Sequence, residues 1–409
     1  MCVGIVGIVG ALGTGCAGSG DSGDDSTKGQ TDSGGSTPEA ATGSDAASPG
    51  VDGGGGGVEA GGAETGAVTP QPTAPNGYYV SGSTIYDTNN MPHLFLGVDR
   101  PSLEWDPSGQ ALGGSPGIPA SDFTNMAAWN ANVVRLSLNQ DFWLVGAALY
   151  NSGYQATVQA AVTAAEAAGL DVILDLHWSD QGNLGVGTVG GNNGTAGNST
   201  QQPMADMNSV TFWTQVATLF KGDGHVLFEL YNEPFNITPQ VWLSGGTPMG
   251  ANYTAVGMQT LYDTVRATGA LNLVLIGGTT WAYDLTPVLS GMGVVGTNIV
   301  YVAHPYGQNS NAVNSTQWDQ YFGPVTSIAP VMATEFGDTS ECAGTFDQSL
   351  IPYLTAHNMS WSAYAWWSAG SGDCSFPTLL SGLPATASAA GQVVCTALNP
   401  ANASGLCAQ

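Results

Sequence analysis

From residue 94 onward, short apolar runs alternate with longer stretches in which apolar residues recur at helical spacing. The runs fall at 94–98, 133–138, 171–176, 226–231, 273–278, 299–304, 330–335 and 361–366. Each is about as long as a strand and nearly continuous in apolar character, which suits a strand covered on both faces. Between them the pattern predicts helices. The stretch 155–169 is Ala-rich and stops at Gly169, a C-cap signal. Residues 208–221 and 251–269 carry apolar positions at 3.6-residue spacing, and 318–328 and 346–357 are shorter examples. Eight strands alternating with helices predict a parallel (β/α)₈ barrel of the TIM type. A doubly wound open sheet is the competing topology, but no glycine fingerprint for a dinucleotide follows the first run. Residues 78–87 read as a small capping hairpin.

Ahead of the barrel the composition changes sharply. Residues 17–75 consist almost wholly of Gly, Ser, Thr, Asp, Pro and Ala, with no aromatic residue and with five consecutive glycines at 53–57. Such a segment buries too little apolar surface to offset its chain entropy, so a disordered linker is expected. Residues 1–16 read as an export leader: Val3 to Leu12 are small and apolar, too short a run to span a bilayer. Cys16, after Gly13-Thr14-Gly15, is a lipidation candidate, although Leu12 lies four residues before it and no Lys or Arg precedes the apolar run. A plain secretory signal is the alternative. The expected organisation is therefore leader 1–16, linker 17–75 and catalytic domain 76–409, exported and either extracellular or lipid-anchored at the cell surface, with no other membrane attachment.

Charge narrows the partners. Five Lys+Arg stand against 31 Asp+Glu, for a formal net charge of −26. Nucleic acid is excluded as a partner, because phosphate binding needs clustered cations, and acidic polymers would be repelled. A neutral substrate is compatible. Of six cysteines, four (Cys342, Cys374, Cys395 and Cys407) lie near the C-terminal end. An even number in an exported chain suggests two disulfides. Three pairings are open, of which Cys342–Cys374 with Cys395–Cys407 is favoured; none of the spacings is that of a zinc site.

The chemistry-bearing residues cluster where runs end. Asn232-Glu233-Pro234 closes the fourth run and Glu335 the seventh. Arg135 lies in the second, His177 and Trp178 follow the third, His304 and Tyr306 end the sixth, and Trp366 and Trp367 end the eighth. Barrel active sites lie at the C-terminal ends of the strands, so these side chains are expected around one mouth. Taken singly, a strand-end His is ordinarily structural, a barrel Arg serves a buried carboxylate, and a rim Trp is core. Two carboxylates converging there suit retaining glycoside hydrolysis, which holds them about 5 Å apart.

These motifs carry a resemblance. Asn232-Glu233-Pro234, Ala333-Thr334-Glu335-Phe336-Gly337, His304-Pro305-Tyr306 and Asp175-Leu176-His177-Trp178, in this order, resemble glycoside hydrolase family 5, the cellulase family. So do the opening from Gly97 to Trp105 and the stretch from Gly257 to Gly269; together the likeness spans about residues 78–385. Asp99 departs from it, standing where many members carry Asn. The resemblance implies Glu233 as general acid/base and Glu335 as nucleophile. It further implies Asn232 on the sugar 2-hydroxyl, Arg135 and Tyr306 holding Glu335 charged, and His177 and His304 binding hydroxyls or positioning the acids. Trp367 would stack on sugar, with Trp366, Trp178 and Trp281 as further contacts. It implies a monomeric endo-glycosidase, without metal or organic cofactor, acting on a β-linked polysaccharide, foremost a β-1,4-glucan. A β-mannanase or other β-glucanase is the alternative on the same fold. A carbohydrate-binding surface lipoprotein without catalysis is the alternative from another class, and the intact glutamate pair weighs against it. The Gly/Asn-rich loop at 180–203 is either a cleft wall or a passive insertion.

Overall fold

A computed structural model of the protein describes residues 70–184, 201–338, 343–368, 377–382, 386–402 and 407. Eight strands close a parallel barrel in sequence order: β1 (Leu96–Arg100), β2 (Val133–Asn139), β3 (Asp171–Trp178), β4 (Val226–Glu229), β5 (Val274–Gly277), β6 (Ile299–Val302), β7 (Val331–Ala333) and β8 (Ser360–Ala363). Closure is direct, with Trp361, Ser362 and Ala363 of β8 in register with Leu96, Gly97 and Val98 of β1.

The strands look uniformly apolar because both faces are buried, yet the two faces differ. Val134, Leu136, Val172, Leu174, Val226, Phe228, Val274 and Ile276 pack outward into the layer shared with the helices. Val133, Ile173, Leu227, Leu275, Val300, Val302 and Met332 fill the lumen together with Phe95 and Ile85. Since side chains alternate along a strand, the inward positions one step nearer the C-terminal mouth are Asp99, Arg135, Asp175, Glu229, Thr334 and Ser362. An apolar plug thus floors a polar layer.

Ile85 belongs to the hairpin Tyr79–Ser81/Thr84–Tyr86, and its place in the lumen cluster makes that hairpin the cap of the opposite mouth. The helices expected at 155–169, 208–221 and 346–357 occur as Tyr154–Ala167, Met207–Phe220 and Thr345–Ala356. That expected at 251–269 occurs only as Met258–Ala267, because Ala255 is bridged to Gly246 and Gly257 is an extended N-cap; a Cβ on Gly257 would lie 2.4 Å from the Leu243 carbonyl oxygen, which accounts for glycine there. That at 318–328 divides into Ser315–Tyr321 and a 3₁₀ turn Gly323–Ser327. Helices Ala120–Ala128 and Ala389–Leu398 were not anticipated.

Contacts with the barrel begin before residue 76. Ala74 is buried, and the Pro72 and Pro75 carbonyls accept from Asn298 Nδ2 and the Gly224 amide. The last residues of the expected linker thus dock on the barrel through backbone groups, which composition does not mark. Cys395 and Cys407 are joined. The pairing of Cys342 with Cys374 lies outside the described residues, as do the leader, Cys16 and nearly all of the linker.

Candidate active site

Arg135 organises the polar layer. Fully buried, it donates through Nε to Glu229 Oε2 at 2.8 Å and through Nη1 to Asp99 Oδ2 at 3.1 Å and Glu335 Oε1 at 2.5 Å. Its Nη2 reaches Asn232 Oδ1 at 2.7 Å and lies 2.9 Å from Asp175 Oδ2. One rigid five-donor fork therefore serves carboxyl groups from β1, β3, β4 and the end of β7. Ser362 donates to the other oxygen of Asp99, and Thr334 to Glu229 Oε1 at 3.0 Å.

Glu335 follows β7 and is held at both oxygens, by Arg135 on one side and by the Tyr306 hydroxyl at 2.7 Å on the other. Glu233, four residues past β4, receives His304 Nδ1 at 3.2 Å on Oε1, and His304 Nε2 lies 2.8 Å from the Thr334 hydroxyl. His177 Nδ1 sits 2.7 Å from Asp175 Oδ2 and 3.9 Å from Glu335 Oε1. Oxygens of Glu233 and Glu335 and a nitrogen of His304 all lie within 4.8 Å of one another.

The two glutamates are pushed in opposite directions. Burial works against the charge on Glu335, but the Arg135 guanidinium, His304, His177 and the Tyr306 hydrogen bond outweigh it and hold the carboxyl down at about 2. Glu233 is raised above its ordinary value by burial and by the charge of Glu335, opposed by the His304 hydrogen bond. Burial acts to neutralise His304, but Glu335, Glu229 and Glu233 override it and raise the imidazole to about 10. His304 is then protonated at neutral pH. Glu233, His304 and Glu335 also include ligand types found in metal sites, and a cation there would compete with the proton on the His304 ring. Burial pushes Asp99 and Asp175 well above the usual carboxylate range, against the pull of Arg135.

Asn232 also donates through Nδ2 to Gln201 Oε1 at 2.9 Å, and Gln201 Nε2 reaches the Glu233 carbonyl at 3.0 Å. The returning end of the long loop thus braces the Asn-Glu-Pro turn. The half-buried Trp367 lies edge-on to Trp105 with ring centroids 5.6 Å apart, and the Arg100 guanidinium stands over its ring at 5.2 Å. Trp281 stacks on Phe235 at 3.9 Å with planes 2° apart, and Trp178 is half-buried at the rim beside His177. Trp366 is not at the mouth. It is fully buried against Trp129 at 4.7 Å, in the cluster shared with the helices. Both tryptophans lie beyond Ala363, where β8 ends, so the alternation along the strand does not decide which of the two faces the mouth.

Asp175 and Thr334 stand in the motifs without a role of their own, the sequence assigns no role to Glu229, Glu104 or Gln201, and Asp99 enters only as a departure. Glu229 carries a signal: a carboxylate inside an apolar run, at the parity of Leu227, requires a cation, and Arg135 lies inside the second run at the parity of Val133. Glu104 is buried, accepts from the Ser102 amide at 2.8 Å, and is pushed up to about 7 by burial against the pull of His177.

Known proteins share this architecture. The family description "Cellulase (glycosyl hydrolase family 5)" matches residues 107–370, which include both glutamates. A manganese dependent endoglucanase, Eg5A of Phanerodontia chrysosporium, is 24% identical over 304 residues, covering 67% of this chain and 71% of that protein. Endoglucanase A of Ruminococcus albus is 29% identical over 194 residues, covering 40% of this chain and only 52% of its own length. The β-glucanase SdGluc5_26A of Saccharophagus degradans superposes with a TM-score of 0.58 at 19% identity, covering 82% of this chain and 98% of that one; at that identity the likeness is of fold. With the family match spanning most of the barrel and two oppositely tuned glutamates facing each other across its mouth, the chain belongs to glycoside hydrolase family 5, the cellulase family.

Proposed function

We propose that this protein cleaves internal β-1,4 bonds of a glucan with retention of anomeric configuration. The observation that carries the reading is the approach of Glu233 and Glu335 within 4.8 Å, the separation of a retaining pair rather than the about 6.5–9.5 Å that leaves room for an inverting water. The relatives named endoglucanase support the choice of glucan. Glu335 attacks the anomeric carbon while Glu233 passes its proton to the departing glycosidic oxygen, leaving a glycosyl ester on Glu335. Glu233, now a carboxylate, takes a proton from water as that oxygen attacks the same carbon and releases Glu335. Asn232 holds the sugar 2-hydroxyl, Arg135 and Tyr306 hold Glu335, and His304 holds Glu233. His177 lies against the sugar on the Asp175 side. Trp367, Trp281 and Trp178 offer flat faces to apolar sugar surfaces.

The test is a panel of carboxymethylcellulose, mannan, xylan and laminarin, scored by viscosity, reducing ends and product chromatography. Carboxymethylcellulose should thin fastest; mannan as the preferred polymer would replace the glucan assignment. Because Glu233 must be protonated to act as acid and its folded pKa is raised, kcat/KM should fall as pH rises through that pKa. Glu233→Gln should cost about 10²–10⁴-fold on polymer and much less on aryl glycosides with activated leaving groups. Equal losses on both would remove the acid role.

The organisation read from the sequence completes the proposal. Residues 1–16 direct export, 17–75 act as a tether whose last few residues already dock on the barrel, and 76–409 hydrolyse polysaccharide as a monomer. Cys16 is a candidate anchor. Mass spectrometry of the mature N-terminus should find either diacylglyceryl-Cys16 or an unmodified start; the second outcome makes the enzyme a freely released one.

A further inference from the structure

Beside the catalytic mouth lies a second group of acids with no evident counter-charge. Asp141 sits in the short helix Gln140–Trp143 after β2, Asp180 two residues past β3, and Asp206 at the N-cap of the helix Met207–Phe220. All three are fully buried. The Asp180 carboxylate is in direct contact with both Asp141 and Asp206. Asp206 accepts from the Asn208 amide at 2.7 Å and Gln140 Nε2 at 3.1 Å, and Asp180 from the Gly182 amide at 2.7 Å and Asn208 Nδ2 at 3.0 Å. Asp141 differs: neither of its buried carboxylate oxygens meets a donor, and what it faces is another carboxylate.

Protein cations do not supply the balance. Among the described residues, Arg100 is spent on Asp122 and Arg135 on the catalytic cage, while Lys221 and Arg266 reach backbone carbonyls at Thr268, Ala270 and Thr297. A buried carboxylate without donor or counter-ion is costly, so its neighbourhood must either protonate or take up a cation.

We propose that Asp141, Asp180 and Asp206 hold one calcium-type cation, with the donor-less oxygens of Asp141 as its principal ligands. The donor set is all oxygen and comes from three separate elements, which suits the pliable coordination of calcium better than the strict octahedron of magnesium. The position gives the cation a task. The long loop leaves the barrel at Asp180 and returns through Gln201 to Asp206, and Gln201 braces Asn232 and the Glu233 backbone. A cation here clamps both feet of that loop against β2 and steadies the platform carrying the acid.

The experiment uses the purified chain stripped with a chelator. CaCl2 is titrated by calorimetry, metal content is measured after dialysis, and melting is followed with and without CaCl2 or MgCl2 at fixed pH. One Ca2+ per chain, a Tm that rises with CaCl2 concentration, and weaker binding of Mg2+ are expected. Asp141→Asn should lose the Ca2+ response yet melt no lower than the stripped wild type, because it removes an uncompensated charge. Glu335→Gln should retain the Ca2+ response, which separates this site from the catalytic trio. Absence of Ca2+ binding to the wild type, undiminished binding in Asp141→Asn, or loss of binding in Glu335→Gln alone would each overturn the assignment. The wild-type titration decides even if Asp141→Asn does not fold.

Discussion

Glu335→Gln is expected to lower kcat by about 10⁴-fold or more on every substrate, with the fold intact. The change is nearly isosteric, so the Arg135 and Tyr306 contacts have a partner of the same shape, and circular dichroism should be unaltered. What disappears is the nucleophile: an amide does not form the glycosyl ester, and with it goes the charge facing the developing oxocarbenium ion. Activated leaving groups should not restore the rate, because the missing step is attack and not protonation. Glu233→Gln should behave oppositely, and that contrast separates the two roles. Azide added to a Glu335→Ala variant, in which the side chain is cut away, should yield a glycosyl azide of inverted configuration, since the small anion enters on the vacated face. Turnover within about tenfold of wild type would leave Glu335 without its assigned role.

Arg135→Met should be the most destabilising single change in the barrel. It strands Glu229, Glu335, Asp99 and Asp175 in a buried layer with their shared cation removed. Breaking a buried ion pair from one side costs about 3–5 kcal/mol, on the order of 10 °C in Tm for a domain of this size. The pH dependence should change with it. Glu335 has a folded pKa of about 2, against an ordinary value of 4.5. Its stabilisation is therefore complete above about 4.5 and lost as pH falls through about 2. Without Arg135 the carboxyl titrates higher, so both this stability and the acid limb of activity should be lost at less acidic pH. His304 sets the opposite edge: raised from 6.5 to about 10, it stabilises fully below 6.5 and fades as pH rises through 10. Arg135→Lys should fall between, since one ammonium does not reach five acceptors. A methionine variant with unchanged Tm and an unshifted acid limb would mean that the cage is balanced by something other than Arg135.

Much of this was legible along the chain, for reasons that particular residues make plain. The eight runs were recognisable because parallel barrel strands are covered on both faces, and Glu233, Glu335, His304 and Tyr306 were recognisable because polar residues at the ends of such runs interrupt the pattern. Glu229 and Asp175 were harder, because a single carboxylate inside an apolar run does not alter its average. Trp366 and Trp367 show the same limit, being identical residue types one position apart that face opposite sides of the wall.

The sequence by itself determined that there would be eight buried strands, that their ends would carry acids, and that a polar, glycine-rich stretch would precede them. These are properties of period and composition, which local chemistry writes directly. Only the tertiary structure decided that one arginine would serve carboxyl groups from four strands, that Glu233 would be raised while Glu335 is lowered, and that three distant aspartates would meet beside the loop. Those outcomes depend on distances of a few ångströms between residues up to two hundred positions apart, and Coulomb and desolvation energies at such range are set by barrel closure and not by neighbours in the chain.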